Sequence, residues 1–170
     1  MTWQTDTGNE NFIADQGKLA GPLSRIMDSR SVETAAAVMV NGTTIFTIAG
    51  GPIQIEELLS VCITADDTTA STLQWQSAPT DGSAKTISGA SASLASAAAG
   101  ATVRLNPTAL TTAPDLVTAA NGGAQLGAAV ANRLIVTAGT LKTVVGVGST
   151  TGTWRHYLRY TPLGPNVTVR

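Results

Sequence analysis

The chain has 170 residues and a formal net charge of −1; this length suits one domain with a proper core plus arms, and the charge supplies no basic field to recruit nucleic acid. Only 12% of residues are charged while 43% are apolar, against about 25% charged in ordinary soluble domains. Thr, Ser, Gly and Ala fill the difference, and a surface of that kind is readily desolvated against copies of itself or a neighbour. With a single cysteine, Cys62, and a single histidine, His156, an internal disulfide and a zinc site are both excluded.

In chain order, residues 1–32 read as an N-terminal arm ahead of a domain at 33–170. Apolar residues are thinly spaced there (Trp3, Phe12, Ile13, Leu19, Leu23, Ile26 and Met27), and Gly8, Gly17, Gly21 and Pro22 interrupt any long element. Leu23, Ile26 and Met27 share helical spacing, so a short helix over 23–30 is one reading. An extended arm lying against a partner is another, and a frayed tail a third. Met1-Thr2-Trp3-Gln4-Thr5-Asp6 has neither the basic region nor the apolar stretch of a signal or anchor, and no apolar run nears the ~20 residues of a membrane span. Synthesis in the cytoplasm, with no membrane partner, is the expectation.

From Ser31 the texture is that of strands. Glu33–Val40 is a candidate, followed by Asn41-Gly42, a hairpin signal because both residues tolerate the positive φ of a type I′ turn. Thr43–Ala49 comes next, and Gly50-Gly51-Pro52 then permits a bend or a change of sheet. Gly50–Thr64 is the longest strand-like run, with Ile53, Ile55, Leu59, Val61 and Ile63 expected on one face and Cys62 as core filler. Glu57 breaks that series, as a paired inward carboxylate or, the favoured reading, because a bulge near Glu56–Glu57 shifts the register. Asp66-Asp67-Thr68-Thr69 reads as a solvated turn, since the further oxygens of a calcium loop are missing.

Ser71–Ser77 places Leu73 and Trp75 on one face, and Lys85–Ile87 is a further short strand. The Ala/Ser-rich stretch 89–101 reads as a loop or weak helical turn anchored by Leu94. Ala101–Leu105 and Thr108–Thr112 are strand-like, and Pro114–Asn132 is either a helical turn or a loop. Arg133–Thr137 is expected as a buried strand and Thr140–Val147 as the next. Thr153–Thr161 alternates, with Trp154, His156, Leu158 and Tyr160 on one face and Thr153, Arg155, Tyr157 and Arg159 on the other. Eight or nine strands and no long helix predict an all-β domain, a β-sandwich or jelly roll, with the arm extended from it.

Charge is unevenly placed. All eleven acids but only five of the ten bases fall in residues 1–115, whereas 116–170 holds Arg133, Lys142, Arg155, Arg159 and Arg170 and no acid. If the fold segregates these regions the molecule is polar and docks head to tail or on an acidic surface; if the strands interleave, the charges mix.

For chemistry the chain offers little. Any imidazole-based scheme must use His156, which reads as a packed strand histidine. The glycine pairs lack the strand–turn–helix context of a phosphate loop. The chain therefore reads as a non-enzyme with no cofactor. Arg155, Tyr157 and Arg159 form a surface or intersubunit strand face; basic residues interleaved with an aromatic would also suit single-stranded nucleic acid, which is not the expected partner.

Two segments carry a family resemblance: Ile48-Ala49-Gly50-Gly51-Pro52-Ile53, and the closing Thr151–Leu163 with its Leu158-Arg159-Tyr160-Thr161-Pro162-Leu163. With the Ala/Thr/Gly-rich middle between them, they resemble small virion proteins of tailed bacteriophages, the capsid decoration or cement proteins. The resemblance implies a β-sandwich or jelly-roll-like homotrimer on the capsid exterior, bound to the major capsid protein and stabilising the expanded shell. It implies an arm that reaches over the shell or a neighbour, with Trp3, Phe12, Ile13, Leu19, Leu23, Ile26 and Met27 as contacts. A tail or head-fibre component is the alternative within that world. From another class, a carbohydrate-binding module would use Trp75 or Trp154 as a stacking platform.

Overall fold

The Gly50-Gly51-Pro52 break is where the chain passes from one β-sheet to another. The computed structural model describes residues 29–106, 110, 112–117 and 134–170, and among these it forms twelve strands and no helix. They are β1 (Arg30–Glu33), β2 (Ala37–Val40), β3 (Thr44–Ala49), β4 (Ile53–Cys62), β5 (Leu73–Pro79) and β6 (Lys85–Thr86), then β7 (Thr102–Arg104), β8 (Asp115–Val117), β9 (Leu134–Val136), β10 (Gly139–Val145), β11 (Ser149–Pro162) and β12 (Thr168–Val169). The count exceeds the eight or nine expected because β1 and β2 are separate strands where Glu33–Val40 is expected as one, and because β8 and β12, of three and two residues, are too short for a hydrophobic alternation to register. The seven arm residues Trp3 to Met27 named above lie outside the described residues, as do most of Thr108–Thr112 and of the stretch following Val117. β1 begins at Arg30, so residues 30–32, expected at the end of the arm, are strand.

Seven strands form a sheet in the order β1-β11-β4-β7-β8, with β2 also on β11 and β9 also on β4; the other five run β12-β3-β10-β5-β6. All pairings are antiparallel. The large sheet is thus built on two long strands, β4 and β11, each bordered along its outer edge by two short strands end to end. Thr34 bridges β1 and β2: its amide donates to the His156 carbonyl at 3.0 Å, and its hydroxyl accepts from the His156 amide at 3.1 Å. One core draws on both sheets, with Phe46, Ile48, Leu73, Trp75, Leu141 and Val145 from the smaller and Ile53, Leu58, Cys62, Val103, Trp154 and Leu158 from the larger.

The bulge in β4 is present. Arg159 pairs with Glu57 but Tyr160 with Ile55, so Glu56 is the extra residue. This corrects the expected facing: Ile53, Ile55, Leu58, Ser60 and Cys62 are buried, while Leu59 and Val61 turn to the opposite face and Ile63 is exposed. A single inserted residue reverses every side chain after it, because strand faces alternate with period two.

Two further expectations fail for a common reason. Asn41-Gly42 makes a tight turn, with Gly42 at φ +80° and Thr43 N–H donating to the Val40 carbonyl at 3.2 Å. Yet β2 pairs with β11 and β3 with β10, so the turn joins two sheets and is not a hairpin. Arg133–Thr137 is likewise no fully buried strand, since Ile135 is 57% exposed on the edge piece β9. Local turn chemistry constrains the backbone of the turn; which strand each arm pairs with is decided by distant residues.

At Gly50 the demand for glycine is stereochemical. Its φ is +80°, and a Cβ there would lie 2.1 Å from the Asn166 carbonyl oxygen, so any side chain displaces the 163–167 segment that closes over the sheet crossing. The far edge of the smaller sheet ends differently. Ser88 Oγ and Ser91 Oγ accept the Trp75 and Leu73 amides at 3.1 and 2.9 Å, so serine side chains complete part of the β5 ladder where β6 has already ended. Leu94 is fully buried in this irregular stretch, as its role of anchor requires.

Candidate functional site

The outward side chains of β4 and β11 make the most distinctive surface among the described residues. On β11, Trp154, His156, Leu158 and Tyr160 point into the core, so Thr153, Arg155, Tyr157 and Arg159 must point out. Register then sets their neighbours: Arg155 lies opposite Val61, Tyr157 opposite Leu59 and Arg159 opposite Glu57. On the other flank Glu33 pairs with Tyr157 and Ser31 with Arg159. Leu59, Val61 and Tyr157 floor a groove of about 510 Å³, bordered by Glu33, Glu57 and Arg159.

Acids and bases interleave over this face. Arg104 Nε meets Glu57 at 3.3 Å, Arg159 Nε meets Glu56 at 3.1 Å, and Arg155 lies 3.7 Å from Glu33. Arg155 and Arg159, from the all-basic final third of the sequence, are thus set between acidic residues of β1 and β4, and on this face the charges mix. Glu56, the bulged residue, also accepts hydrogen bonds from the Thr161 and Ser29 hydroxyls. A neutral, apolar-floored groove with charged borders suits a polypeptide surface and offers no run of free cations for a phosphate backbone.

A second apolar cluster lies at the far end of the same sheet. Val38 pairs with Thr153, whose carbonyl accepts the Ile63 amide at 2.8 Å, and Val40 pairs with Ser149 beside the β10–β11 turn. Val38, Val40 and Ile63 are exposed, and Val147 in that turn is 70% exposed at φ +57°, a conformation that costs a β-branched residue on the order of 1–2 kcal/mol.

Behind the outer face, two polar constellations are sealed in the interior. Ser60 Oγ and His156 Nδ1 are 2.6 Å apart on directly paired residues. Ser60 is fully buried and His156 5% exposed, so no substrate reaches the hydroxyl and the pair acts as a cross-strand tie. Burial lowers the His156 pKa to about 4, which keeps the ring neutral at pH 7.

Asp66 is the other. The expected solvated turn is wrong for this residue, which is only 7% exposed. Its Oδ1 accepts from the Thr151 amide (2.9 Å), the Thr151 hydroxyl (3.2 Å) and the Gly152 amide (2.5 Å), while Oδ2 accepts from Trp154 Nε1 (2.8 Å). A buried carboxylate needs several donors to offset its lost hydration, and this one has four. Asp67 remains at the surface, its pKa lowered by the hydrogen bond it accepts from the Thr69 amide at 2.7 Å. Burial, reinforced by the Asp66 charge, raises the Cys62 thiol pKa, so the thiol is held protonated.

Trp75 and Trp154 are fully buried, which removes the stacking platform that a carbohydrate-binding reading requires of them. Among the described residues no three His, Cys, Asp or Glu side chains are placed to hold a metal. No helix among them is long and apolar enough to cross a membrane, a statement about helices alone. No protein-family model matches the chain, and no curated protein and no solved structure is significantly similar to it.

Proposed function

We propose that the chain is a structural virion protein of the capsid decoration type, which binds the outside of a tailed-phage head and clamps neighbouring major capsid proteins in the expanded shell. The observation that carries this reading is a meeting of motifs. The Gly-Gly-Pro-Ile segment and the Leu-Arg-Tyr-x-Pro-Leu segment, remote in sequence, are hydrogen-bonded neighbours, with Ile53 paired to Pro162 and Gln54 to Thr161. The closing motif in β11 thus pairs with the first residues of β4, and the Ile48–Ile53 segment leads into that pair from β3 of the smaller sheet. In this reading the two sheets are the layers of a jelly-roll-like β-sandwich, the body forms a homotrimer, and residues 1–28 are the arm.

The outer face supplies what a clamp needs. Leu59, Val61 and Tyr157 give an apolar centre, and the paired charges around them give a polar rim whose register a partner reads. Several weak contacts of this kind, linked through a trimer, bind far more tightly than one. The test is co-sedimentation of the purified protein with expanded shells and with unexpanded procapsids. Binding to expanded shells alone, by an oligomer in native mass spectrometry, is the expected result. Equal binding to both shells, or to neither, sinks the proposal. A Tyr157→Ala, Arg159→Ala variant that sediments like the unaltered protein removes the outer face from it.

A further inference from the structure

Register identifies which backbone groups at the rim of the large sheet face outward. β1 is an edge strand of that sheet, paired with β11 alone. In an antiparallel pair, hydrogen-bonded and non-hydrogen-bonded residue pairs alternate. The Thr34 amide donates to the His156 carbonyl at 3.0 Å, so the bonded pairs continue as Val32 with Leu158 and Arg30 with Tyr160. Glu33 and Ser31, opposite Tyr157 and Arg159, belong to the other set, and their N–H and C=O groups point away from β11. Among the described residues no strand pairs with them from outside. β1 also carries neither the proline nor the bulge that closes many edges. Two donors and two acceptors thus line a free rim, repeating about every 7 Å, and the ligand that completes such a row is extended backbone.

The side chains beside this rim select among extended segments. Ser31 and Glu33 are exposed, share the outer face with Tyr157 and Arg159, and border the apolar-floored groove. Ser31 is small, so a long aliphatic side chain opposite it on an added strand crosses it toward the Tyr157 ring. Glu33 is the most loosely held acid of the face. Arg155 stands 3.7 Å from it and its side chain is 56% exposed, whereas Glu56 and Glu57 meet their arginines at 3.1 and 3.3 Å. A cation opposite Glu33 therefore finds a carboxylate with acceptor capacity left. In an antiparallel addition, the residue opposite Glu33 comes two places before the one opposite Ser31.

We propose that the free rim of β1 is a strand-addition site for an extended polypeptide segment in which a Lys or Arg is followed two residues later by a large aliphatic residue. The cation faces Glu33, and the aliphatic side chain crosses Ser31 to Tyr157. Backbone bonds to Ser31 and Glu33 supply affinity, and the two side chains fix which segment binds and in which direction. The rim takes such a segment whether or not its source is a capsid protein, so peptide binding and shell binding fail independently.

The test titrates the isotope-labelled full chain with acetyl-Thr-Val-Lys-Thr-Leu-Thr-amide and follows the backbone amides by NMR. Saturable shifts, largest at the Ser31 and Glu33 amides, are the expected result. The same peptide N-methylated at its Lys and Leu should bind at least about tenfold more weakly, because two backbone bonds are lost. Ser31→Pro deletes an outward N–H while leaving the ladder to β11 intact, and should weaken binding of the unmodified peptide. Should Ser31→Pro disturb folding, the N-methylated peptide reads the same rim on the unaltered protein. Equal affinity of the two peptides overturns the proposal. So do shifts centred away from β1, or no binding at about 5 mM peptide.

Discussion

The two faces of the β4–β11 pair are made by the same strands and hold polar groups on opposite terms. Inside, polarity is sparse and paired: Ser60 with His156, and Asp66 with the Thr151 and Gly152 backbone and the Trp154 indole. Outside, charges are more numerous and their pairs remain partly wet, with side chains from 23% to 57% exposed. The lesson is that polar groups on the inner face hold the fold, whereas those on the outer face are free to serve recognition. Substitutions on the two faces should separate stability from binding.

The largest effect is expected at Asp66. Asp66→Ala removes the acceptor of four hydrogen bonds and leaves the Trp154 indole and two amides unpaired in the interior, at a cost of about 3–5 kcal/mol. Urea denaturation measures it, and a loss below about 1 kcal/mol would break the inside half of the comparison. Asp66→Asn, which keeps one carbonyl acceptor, should lose less.

Next is acid sensitivity. The His156 pKa is about 4 in the folded chain and near 6.5 when unfolded, so the unfolded state binds the proton more readily. The contribution is fully present above about pH 6.5 and is lost as pH falls toward 4, on the order of 3 kcal/mol in all. Carboxylates titrate at the lower end of that window, so the decisive measurement is the slope between pH 6.5 and 5. His156→Gln should abolish the slope; an unchanged slope would mean that another group produces it.

A smaller effect belongs to the tie itself. Ser60→Ala leaves the imidazole without its cross-strand partner and should cost about 1–2 kcal/mol by thermal or urea unfolding. The smallest is expected outside: Arg155→Ala and Arg159→Ala should each change stability by less than about 1 kcal/mol, since partly exposed ion pairs contribute little. A large loss at either would show that the outer face also holds the fold.

What the sequence discloses follows the same division between near and far. The two faces of β11 are legible because eight residues alternate without interruption, and the Gly-Gly-Pro break is legible because its backbone freedom is intrinsic. The bulge at Glu56 is legible as an acid in a run of aliphatics, although the consequence for Leu59 and Val61 requires knowing which residue is inserted. Asp66 is illegible: its donors arrive from residues 151–154, and a carboxylate beside a second aspartate looks like any surface turn. Asn41-Gly42 misleads because its turn geometry is right and its strand partners are not. Of the outer face, Arg155, Tyr157 and Arg159 are found by periodicity, but their acidic and apolar neighbours come from two other strands, β1 and β4.

The arrangement of β11 bears on how the protein is made. This strand, near the end of the chain, supplies the partner for β1, β2 and β4, all within the first 62 residues. Until it emerges from the ribosome the large sheet lacks one of its two long strands, and β4 presents a long unpaired apolar edge. Closing such wide loops is entropically slow, so folding should lag behind synthesis and proceed slowly for a domain of this size. The nascent chain is then most exposed to aggregation just before β11 appears.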